Sequence, residues 1–384
     1  MRIGIDVRYL SHGLVGGVHT YVANLVPALI ELAVDHQIFL YADTKRPFEL
    51  SNLPKRVTVH YLPYKNGLSS IYHDLFMKRV IAQDGVEVVH FPANYGFGPA
   101  NVPTVVTLHD QINIMPWFDI IRGHPKNART FLMMSYLHYC SRAMLRQVRL
   151  IVTVSEYARR QINRYSGINM QRIIPIPHAP TSDLRRIEET AVLADIRQRH
   201  NISKPFVLAD AIKNPAVLVR AWQRLPLDLQ TKHQIVFFSR RPDPLPVVHE
   251  AVAAGIAQLL IRPSRQDLIG LYSQAQVFVF PSWIEGFGIP ILEAMTCGAP
   301  VIASDRGSIP EVVGDAAMII DAEDHEKLAD YLIRLLEQPA EREHWRQLGF
   351  VRSAQFSWES IAQQYLDTYQ LAVLPRNTHK ALRQ

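Results

Sequence analysis

The stretch QVFVFPSWIEGFGIPILEAMTCGAPVIAS, residues 276–304, holds two short apolar runs separated by a glycine-rich loop and a helix-like segment. The runs at its two ends, 276–280 and 300–304, predict buried parallel strands. Between them Gly286 and Gly288 free the backbone, and Pro290 suits the first turn of a helix. The stretch therefore predicts a strand–loop–helix–strand unit of an α/β fold.

Short apolar runs of the same kind recur along the chain and alternate with longer helical patterns. They predict two series of strands, at 3–7, 37–41, 57–61, 86–91, 104–108 and 150–154, and at 206–209, 234–238, 258–261, 276–280, 300–304 and 317–320. We therefore predict an α/β protein with two Rossmann-like, doubly wound parallel-sheet domains that face each other across a cleft. The first covers 1–175, completed by a C-terminal helix at about 359–384, and the second covers 176–358. The proline-rich segment Ile173–Pro180, IIPIPHAP, is the predicted hinge.

Composition excludes several classes of protein. The chain has 384 residues, 48% of them hydrophobic and 20% charged, which is typical of globular domains and not of disordered or collagen-like chains. No apolar run reaches the length of a membrane span, and the start MRIGIDVRYL lacks a signal-peptide core. We predict a cytoplasmic protein. Cys140 and Cys297 have no metal-site spacing and are predicted to be small buried apolar residues.

Charge is distributed unevenly along the chain. Lys and Arg exceed Asp and Glu by 8 in residues 1–180, whereas the remainder carries a net charge of −2. A basic first half suits anionic lipid, nucleic acid or a phosphate-bearing substrate, and the alternative is an ordinary solvated surface. The helical pattern at 129–150 predicts either a membrane-facing helix or a core-facing one with a solvated basic side. Its apolar stripe is Met133, Leu137, Cys140, Met144 and Val148, and its basic stripe is Arg142, Arg146 and Arg149.

Three places after predicted strands carry residues suited to ligand chemistry. Glu285 lies in the loop after 276–280, and Glu293 follows eight residues later at the start of the helix, with free N–H groups between them that can cradle a diphosphate. Gly16-Gly17 follows the first strand and precedes a helix, so it predicts a second phosphate-binding loop or a plain surface loop. His109 ends the fifth strand and is a candidate ligand contact, whereas His90 has no polar neighbour in the sequence and is interpreted as structural.

The segment Glu285–Glu293, together with 294–302 and 307–312, resembles the donor-site signature of glycosyltransferase family 4. These are retaining enzymes with the GT-B fold. The resemblance extends along the chain through Gly16-Gly17, His109-Asp110, Thr153–Glu156 and Phe356–Trp358.

The resemblance implies a role for each matching residue. Glu285 holds hydroxyls of the donor sugar with the backbone of Gly286, Phe287 and Gly288, and Glu293 binds the nucleotide ribose. His109 contacts the sugar near its anomeric carbon. The residues implied to face the phosphates are Gly16, Gly17, Ile291, Leu292 and Lys213.

One family position is altered. The loop ADAIKNP, 209–215, keeps Lys213 but lacks the usual glycine and arginine and is shortened. Arg240 or Arg241, after the next strand, is the predicted substitute. Asp321–Asp324 is interpreted as a helix-capping loop and not as a metal site. No cofactor and no metal are therefore expected, and no protein nucleophile is assigned.

We predict a retaining glycosyltransferase that moves a hexose from a nucleoside-diphosphate sugar to a glycan or lipid-linked glycan in polysaccharide biosynthesis. The resemblance to bacterial mannosyltransferases of surface polysaccharide assembly makes GDP-mannose the first donor to consider. Peripheral association with the inner face of an anionic membrane is expected, and no nucleic-acid partner is. The alternatives are a non-catalytic GT-B protein that binds a partner and a sugar-nucleotide epimerase.

Overall fold

The computed structural model describes residues 1–11, 17–45, 52–122 and 127–375. It divides into two compact units. Unit one comprises Met1–His178 with Trp358–Gln384, and unit two comprises Ala179–Ser357. The domain limits predicted from sequence fall at 175/176 and 358/359, close to these divisions.

Unit one is built on a parallel sheet of seven strands. The strands are β1 (Arg2–Asp6), β2 (Gln37–Asp43), β3 (Val57–Leu62), β4 (Val88–Phe91), β5 (Thr104–Leu108), β6 (Leu150–Thr153) and β7 (Ile173–Pro175). Their order is β3-β2-β1-β4-β5-β6-β7. β4, β5 and β6 are buried along their whole length, as expected for parallel strands covered by helices on both faces. The helices between them are α1 (Arg8–Ser11), α2 (Gly17–Leu32), α3 (Gly67–Gln83), α4 (Trp117–Arg122), α5 (Ala128–Met144) and α6 (Glu156–Ser166).

Unit two repeats the arrangement with six parallel strands in the order β10-β9-β8-β11-β12-β13. They are β8 (Phe206–Asp210), β9 (Gln234–Ser239), β10 (Ala257–Ile261), β11 (Val277–Phe280), β12 (Val301–Ser304) and β13 (Met318–Ile320). The helices of this unit are α7 (Thr190–Arg199), α8 (Pro215–Trp222), α9 (Leu227–Lys232), α10 (Pro246–Ala253), α11 (Arg265–Gln274), α12 (Ile289–Thr296), α13 (Ile309–Val313), α14 (His325–Glu337) and α15 (Pro339–Ser353). The predicted fold class is confirmed.

The last helix, α16 (Trp358–Val373), belongs to unit one and packs against α2. Its buried side chains include Tyr365 and Tyr369. Tyr369 is hydrogen-bonded to the ring of His90 at 2.8 Å, and the other ring nitrogen of His90 is hydrogen-bonded to Thr107 at 2.8 Å. The C-terminal part of the chain is therefore joined to the centre of the first sheet by buried polar contacts.

Three details differ from the sequence predictions. Ile173–Pro175, assigned to the hinge, forms the edge strand β7, where a proline is tolerated because one side of an edge strand needs no donor. Met133, predicted on the core stripe of α5, is 52% exposed, and Met134 is buried in its place. His90, thought to lack polar neighbours, has the two partners described above. Cys140 and Cys297 are buried free thiols, as predicted.

Candidate functional site

The strand order of unit two reverses between β8 and β11, and the loops after these two strands carry the predicted donor residues. In open α/β sheets the crevice at such a reversal is where ligands bind, because the two connections leave toward opposite faces of the sheet. Lys213 lies in the loop after β8, and Glu285 lies in the loop after β11. Asn214 ties the loops together, donating hydrogen bonds to the carbonyls of Pro281 and Ala322 at 3.0 and 2.8 Å.

Lys213 and Glu285 form an ion pair at this crevice. The Lys213 ammonium lies 2.6 Å from Glu285 Oε1, and the Ser282 hydroxyl donates to the same oxygen at 2.8 Å. The structure thus brings together two residues that the sequence separates by 72 positions. It also gives Glu285 two partners that the sequence motif did not reveal.

The backbone of the Glu285 loop is held by the segment Gly307-Ser308. The Ser308 hydroxyl donates to the carbonyls of Glu285 and Phe287 at 3.1 and 3.0 Å. Gly307 has φ +63°, and a Cβ there would lie 2.5 Å from the Glu285 carbonyl oxygen. Only glycine permits this close approach, so the segment acts as a support for the loop.

Glu293 lies on the second turn of α12, one turn further along than the sequence suggested. Its side chain is buried, Oε1 lies 3.7 Å from Arg265 Nη1, and Oε2 has no hydrogen-bond partner among the described residues. Burial raises the pKa of Glu293, while the nearby guanidinium groups of Arg240 and Arg265 oppose that rise. A buried carboxylate oxygen without a partner indicates a place where a ligand's hydroxyl groups complete the hydrogen bonding.

The helix start before Glu293 has the predicted glycine and proline geometry. Gly288 precedes α12 with φ +99°, and Pro290 occupies its first turn. The Ile291 N–H already donates to the Gly288 carbonyl at 3.0 Å. This N–H is therefore engaged within the helix start, a contact that the sequence did not reveal, and the side chains of Ile291 and Leu292 are buried.

Arg240 is the cation that follows β9 at the same edge of the sheet. It acts on the carboxyls of Glu293 and Asp210, opposing the rise in pKa that burial causes in both. Arg241 instead has its backbone N–H and carbonyl tied to the Ser239 hydroxyl at 3.1 and 2.9 Å. Of the two substitutes considered for the missing arginine, Arg240 is near enough for its charge to lower the pKa of both carboxyls.

The candidate residues of unit one lie after β1 and β5. Gly16 is outside the described residues, and Gly17 begins α2 with nothing within 4 Å of the position that a Cβ would take. His109 follows β5: its Nε2 donates to the Pro92 carbonyl at 2.9 Å, and its backbone N–H donates to Asn94 Oδ1 at 2.9 Å. Burial lowers the pKa of His109 to about 4, so the ring is neutral near pH 7. Because Nε2 carries the proton, Nδ1 is the acceptor.

Aromatic rings hold His109 in place. The Tyr21 ring meets it edge-on at a centroid distance of 4.8 Å, and the His178 ring does so at 5.4 Å. Tyr21 also stacks on His178 at 4.8 Å. Burial lowers the pKa of His178 as well.

The described residues also bear on metal binding and on membrane spans. Within the described parts of the chain, no three His, Cys, Asp or Glu side chains are grouped as a metal site would require. Asp324 caps α14 by accepting a hydrogen bond from the Lys327 N–H at 2.9 Å, which confirms the predicted capping loop. Over the same described ranges, each helix is too short or too polar to cross a bilayer.

Comparisons with known proteins identify the family of this chain. Residues 15–179 match the family described as Glycosyltransferase Family 4, and residues 208–350 match Glycosyl transferases group 1. The O-antigen chain mannosyltransferase B of Escherichia coli is 32% identical over 275 residues, which is 70% of each protein. The serotype-specific mannosyltransferase WbdA of Escherichia coli is 28% identical over 94% of this chain but only 47% of its own length.

Solved structures show the same fold. Sucrose-phosphate synthase from Thermosynechococcus elongatus is similar with a TM-score of 0.70 and 21% identity, covering 97% of this chain and 98% of that one. Anabaena HepE, solved in complex with UDP-glucose, is similar with a TM-score of 0.66 and 17% identity, covering 97% of this chain and all of that one. The chain belongs to glycosyltransferase family 4, a family of retaining hexosyltransferases with the GT-B fold.

Proposed function

We propose that the chain transfers a hexose from a nucleoside-diphosphate sugar to a glycan or lipid-linked glycan in polysaccharide biosynthesis, with mannose as the first candidate sugar. The convergence of Lys213, Glu285 and the half-satisfied carboxylate of Glu293 at the strand-order reversal of unit two carries this proposal. The two Escherichia coli mannosyltransferases among its relatives support mannose, and GDP-mannose is the donor to test first.

The residues of the site match the charge changes of the reaction. Transfer breaks the bond between the anomeric carbon and the diphosphate oxygen and forms a bond to the acceptor oxygen, whose proton passes to the departing diphosphate. Negative charge grows on the leaving group, and fixed cations stabilise it. Lys213 and Arg240 supply that charge, Glu285 orients the sugar hydroxyls, and Glu293 accepts hydrogen bonds from the ribose.

Thermal stabilisation by a panel of GDP-, UDP- and ADP-sugars tests donor binding. A ligand present at 100 times its Kd stabilises a protein by about 2.7 kcal/mol, which a melting curve detects readily. We expect GDP-mannose to give the largest shift. No shift with any member of the panel would contradict the proposed donor site.

The loop after β8 favours one alternative function, that of a non-catalytic protein. The shortened loop after β8 carries a lysine that is already paired with Glu285, so the chain is also a candidate for a non-catalytic member of the family that binds a partner. Release of nucleotide in the presence of donor and acceptor separates the two functions.

We expect turnover without a divalent cation. Lys213 and Arg240 are positioned to neutralise the leaving diphosphate, which is the charge stabilisation that a metal ion provides in metal-dependent enzymes. Activity should persist in EDTA. Loss of activity in EDTA that Mn²⁺ restores would contradict this assignment.

We also propose that unit one associates with the inner face of an anionic membrane. The outward side of α3 exposes apolar side chains beside Arg79. α5 exposes apolar side chains and Arg142, and Arg146 is exposed just after the end of the helix. Tyr136 of α5 donates a hydrogen bond to Asp74 of α3, so the two helices are neighbours. The exposed apolar residues are Ile71, Tyr72, Leu75 and Phe76 on α3 and Phe131, Leu132, Met133 and Tyr139 on α5.

This surface differs from the basic stripe predicted from sequence. The Arg142 guanidinium donates to the Ile114 carbonyl at 2.7 Å, and that of Arg149 donates to the Leu374 carbonyl. Exposed apolar side chains beside cations are the features of a surface that lies in the headgroup region of a bilayer. The apolar contribution is therefore larger than the sequence suggested.

Co-sedimentation with vesicles tests the membrane proposal. We expect binding to phosphatidylglycerol vesicles at low salt, weaker binding at high salt, and a clear loss on Leu75→Ser combined with Leu132→Ser. Leu227→Ser is the matched control, because Leu227 is an exposed leucine of unit two. Absence of binding at low salt would contradict the proposal.

A further inference from the structure

Arg265 was not singled out by the sequence motifs, yet it lies beside the carboxylate assigned to the ribose. It is the first residue of α11. Its Nε and Nη2 donate to the two oxygens of Asp183 at 2.9 and 3.0 Å, and Nη2 also contacts the Thr181 hydroxyl. This two-pronged pairing fixes the plane of the guanidinium and leaves Nη1 directed at Glu293, 3.7 Å from Oε1.

Glu293 is in an incomplete environment without a ligand. The residue is 4% exposed, its contact with Arg265 is longer than a hydrogen bond, and Oε2 has no hydrogen-bond partner among the described residues. Burying a carboxylate is costly unless charge and hydrogen bonds compensate. Arg265 supplies charge but leaves hydrogen-bonding capacity free for a ligand.

The other charged and titratable groups around Glu293 come from three directions. Arg240 approaches from the end of β9, Tyr272 from α11, and Cys297 from the end of α12, while Asp183 lies behind Arg265. The Tyr272 hydroxyl is buried and has no hydrogen-bond partner in the described structure. Arg240 and Arg265 are thus the two cations that favour the ionised form of Glu293.

We propose that Arg265, anchored by Asp183, is a positioning residue for the donor site: it orients Glu293 and keeps its carboxylate available to accept hydrogen bonds from the ribose. This inference rests on the proposed function, in which Glu293 binds the ribose. Asp183 acts on Glu293 indirectly, because it fixes the Arg265 guanidinium that faces Glu293.

Loss of Arg265 should change the pH dependence of nucleotide binding. Burial raises the pKa of Glu293 and Arg265 opposes that rise, so loss of Arg265 raises the pKa further. A protonated Glu293 loses one acceptor oxygen. Nucleotide affinity of the variant is therefore retained at high pH and lost as pH falls through the raised pKa, whereas wild-type affinity is lost only at lower pH.

Calorimetric titration with GDP at pH 6.0, 7.0 and 8.5 tests this, comparing wild type with Arg265→Gln, Arg265→Lys and Asp183→Asn. The ratio of variant to wild-type Kd at each pH removes the titration of GDP itself. We expect Arg265→Gln to weaken binding by about tenfold at pH 6.0 and by less than about threefold at pH 8.5, since one pKa unit is a tenfold effect. Arg265→Lys should restore most of the affinity, and Asp183→Asn should lie between.

Arg224→Gln is the matched control, because Arg224 pairs with Glu326 on the surface of the same unit. Melting temperatures of all variants establish that they are folded. Ratios that stay near one at every pH would overturn the positioning role while leaving the donor site intact. If wild type binds none of GDP, UDP and ADP, the proposed function fails and this inference fails with it.

Discussion

Glu285 and Glu293 have different surroundings, and this predicts different consequences when each is changed. Glu285 pairs with Lys213 in a loop, whereas Glu293 is buried on a helix, and its Oε2 has no hydrogen-bond partner among the described residues. Glu293→Gln removes an acceptor for the ribose, which is common to donor and product, so we expect weaker binding of the free nucleoside diphosphate. Glu285→Gln removes a contact to the sugar alone, so the diphosphate should bind almost normally while turnover falls.

Calorimetry with the diphosphate and steady-state rates for both variants test this division. Equal loss of diphosphate affinity in Glu285→Gln and Glu293→Gln would show that the division is wrong. Glu285→Gln also releases Lys213 from its ion pair, so any change in diphosphate affinity should be toward tighter binding.

His109 is expected to act as a neutral group. His109→Ala should lower turnover by about 10²-fold or more, because a contact near the anomeric carbon is lost. The buried ring also donates to the Pro92 carbonyl, so the variant loses some stability, and rates must be compared per folded molecule. His109→Gln keeps a donor and serves as the control for stability. Normal turnover by folded His109→Ala would mark the residue as structural.

The sequence was informative about some residues of the site and silent about others. Glu285 and Glu293 were predicted from a local motif that follows a strand, and Lys213 was predicted from the resemblance of the loop 209–215 to that of the family. Arg265 and Ser282 were missed because their roles depend on contacts that no local pattern records. The contact between the Ile291 N–H and the Gly288 carbonyl was missed because it depends on the geometry of the helix start.

At the scale of elements, the segment before α13 supports the donor loop, and this predicts a specific defect. In Gly307→Ala the new Cβ would lie 2.5 Å from the Glu285 carbonyl oxygen at a residue with φ +63°. The loop must shift, so we expect a fall in stability of about 1–3 kcal/mol together with a marked loss of turnover.

Gly255→Ala is the matched control for the glycine. Gly255 also has a positive φ, +72°, but nothing lies within 4 Å of the position of its Cβ. Denaturant unfolding and steady-state rates should show a small stability cost and normal turnover for this variant. Equal effects of the two substitutions would show that only backbone strain, and not the Glu285 contact, is at work.

Most strands were predictable to within one or two residues, because buried parallel strands are apolar runs bounded by loops. Thr104–Leu108 was predicted with its observed bounds, and β8 extends by one residue to Asp210. β7 was missed because Pro175, together with Pro177 and Pro180 after the strand, resembles a linker. The buried side of α5 was misread because exposed apolar residues such as Met133 interrupt the periodicity on which the prediction depended.

At the scale of the molecule, buried neutral histidines predict a loss of stability in mild acid. Burial lowers the pKa of His90 to about 3 and that of His109 to about 4, against about 6.5 in the unfolded chain. Between these values the unfolded state binds more protons, so the free energy of unfolding falls as pH falls below about 6.5. Above pH 7 these residues contribute no pH dependence.

The His90→Gln variant isolates one part of this effect. Each such histidine contributes a slope of up to about 1.4 kcal/mol per pH unit, and the variant should lose one such contribution. Denaturant unfolding at pH 7.5, 6.5 and 5.5 measures both slopes. Identical slopes for wild type and His90→Gln would mean that folding does not lower the pKa of His90.

A sugar-transfer assay is the most direct test of the proposed activity. Wild-type protein is incubated with GDP-mannose and a lipid-linked glycan acceptor, released GDP is quantified, and the new linkage is examined by proton NMR. We expect one GDP for each mannose transferred, an α-linkage that retains the configuration of the donor, and a strongly reduced rate in Glu285→Gln. Binding of GDP-mannose without transfer, or a β-linked product, would contradict it.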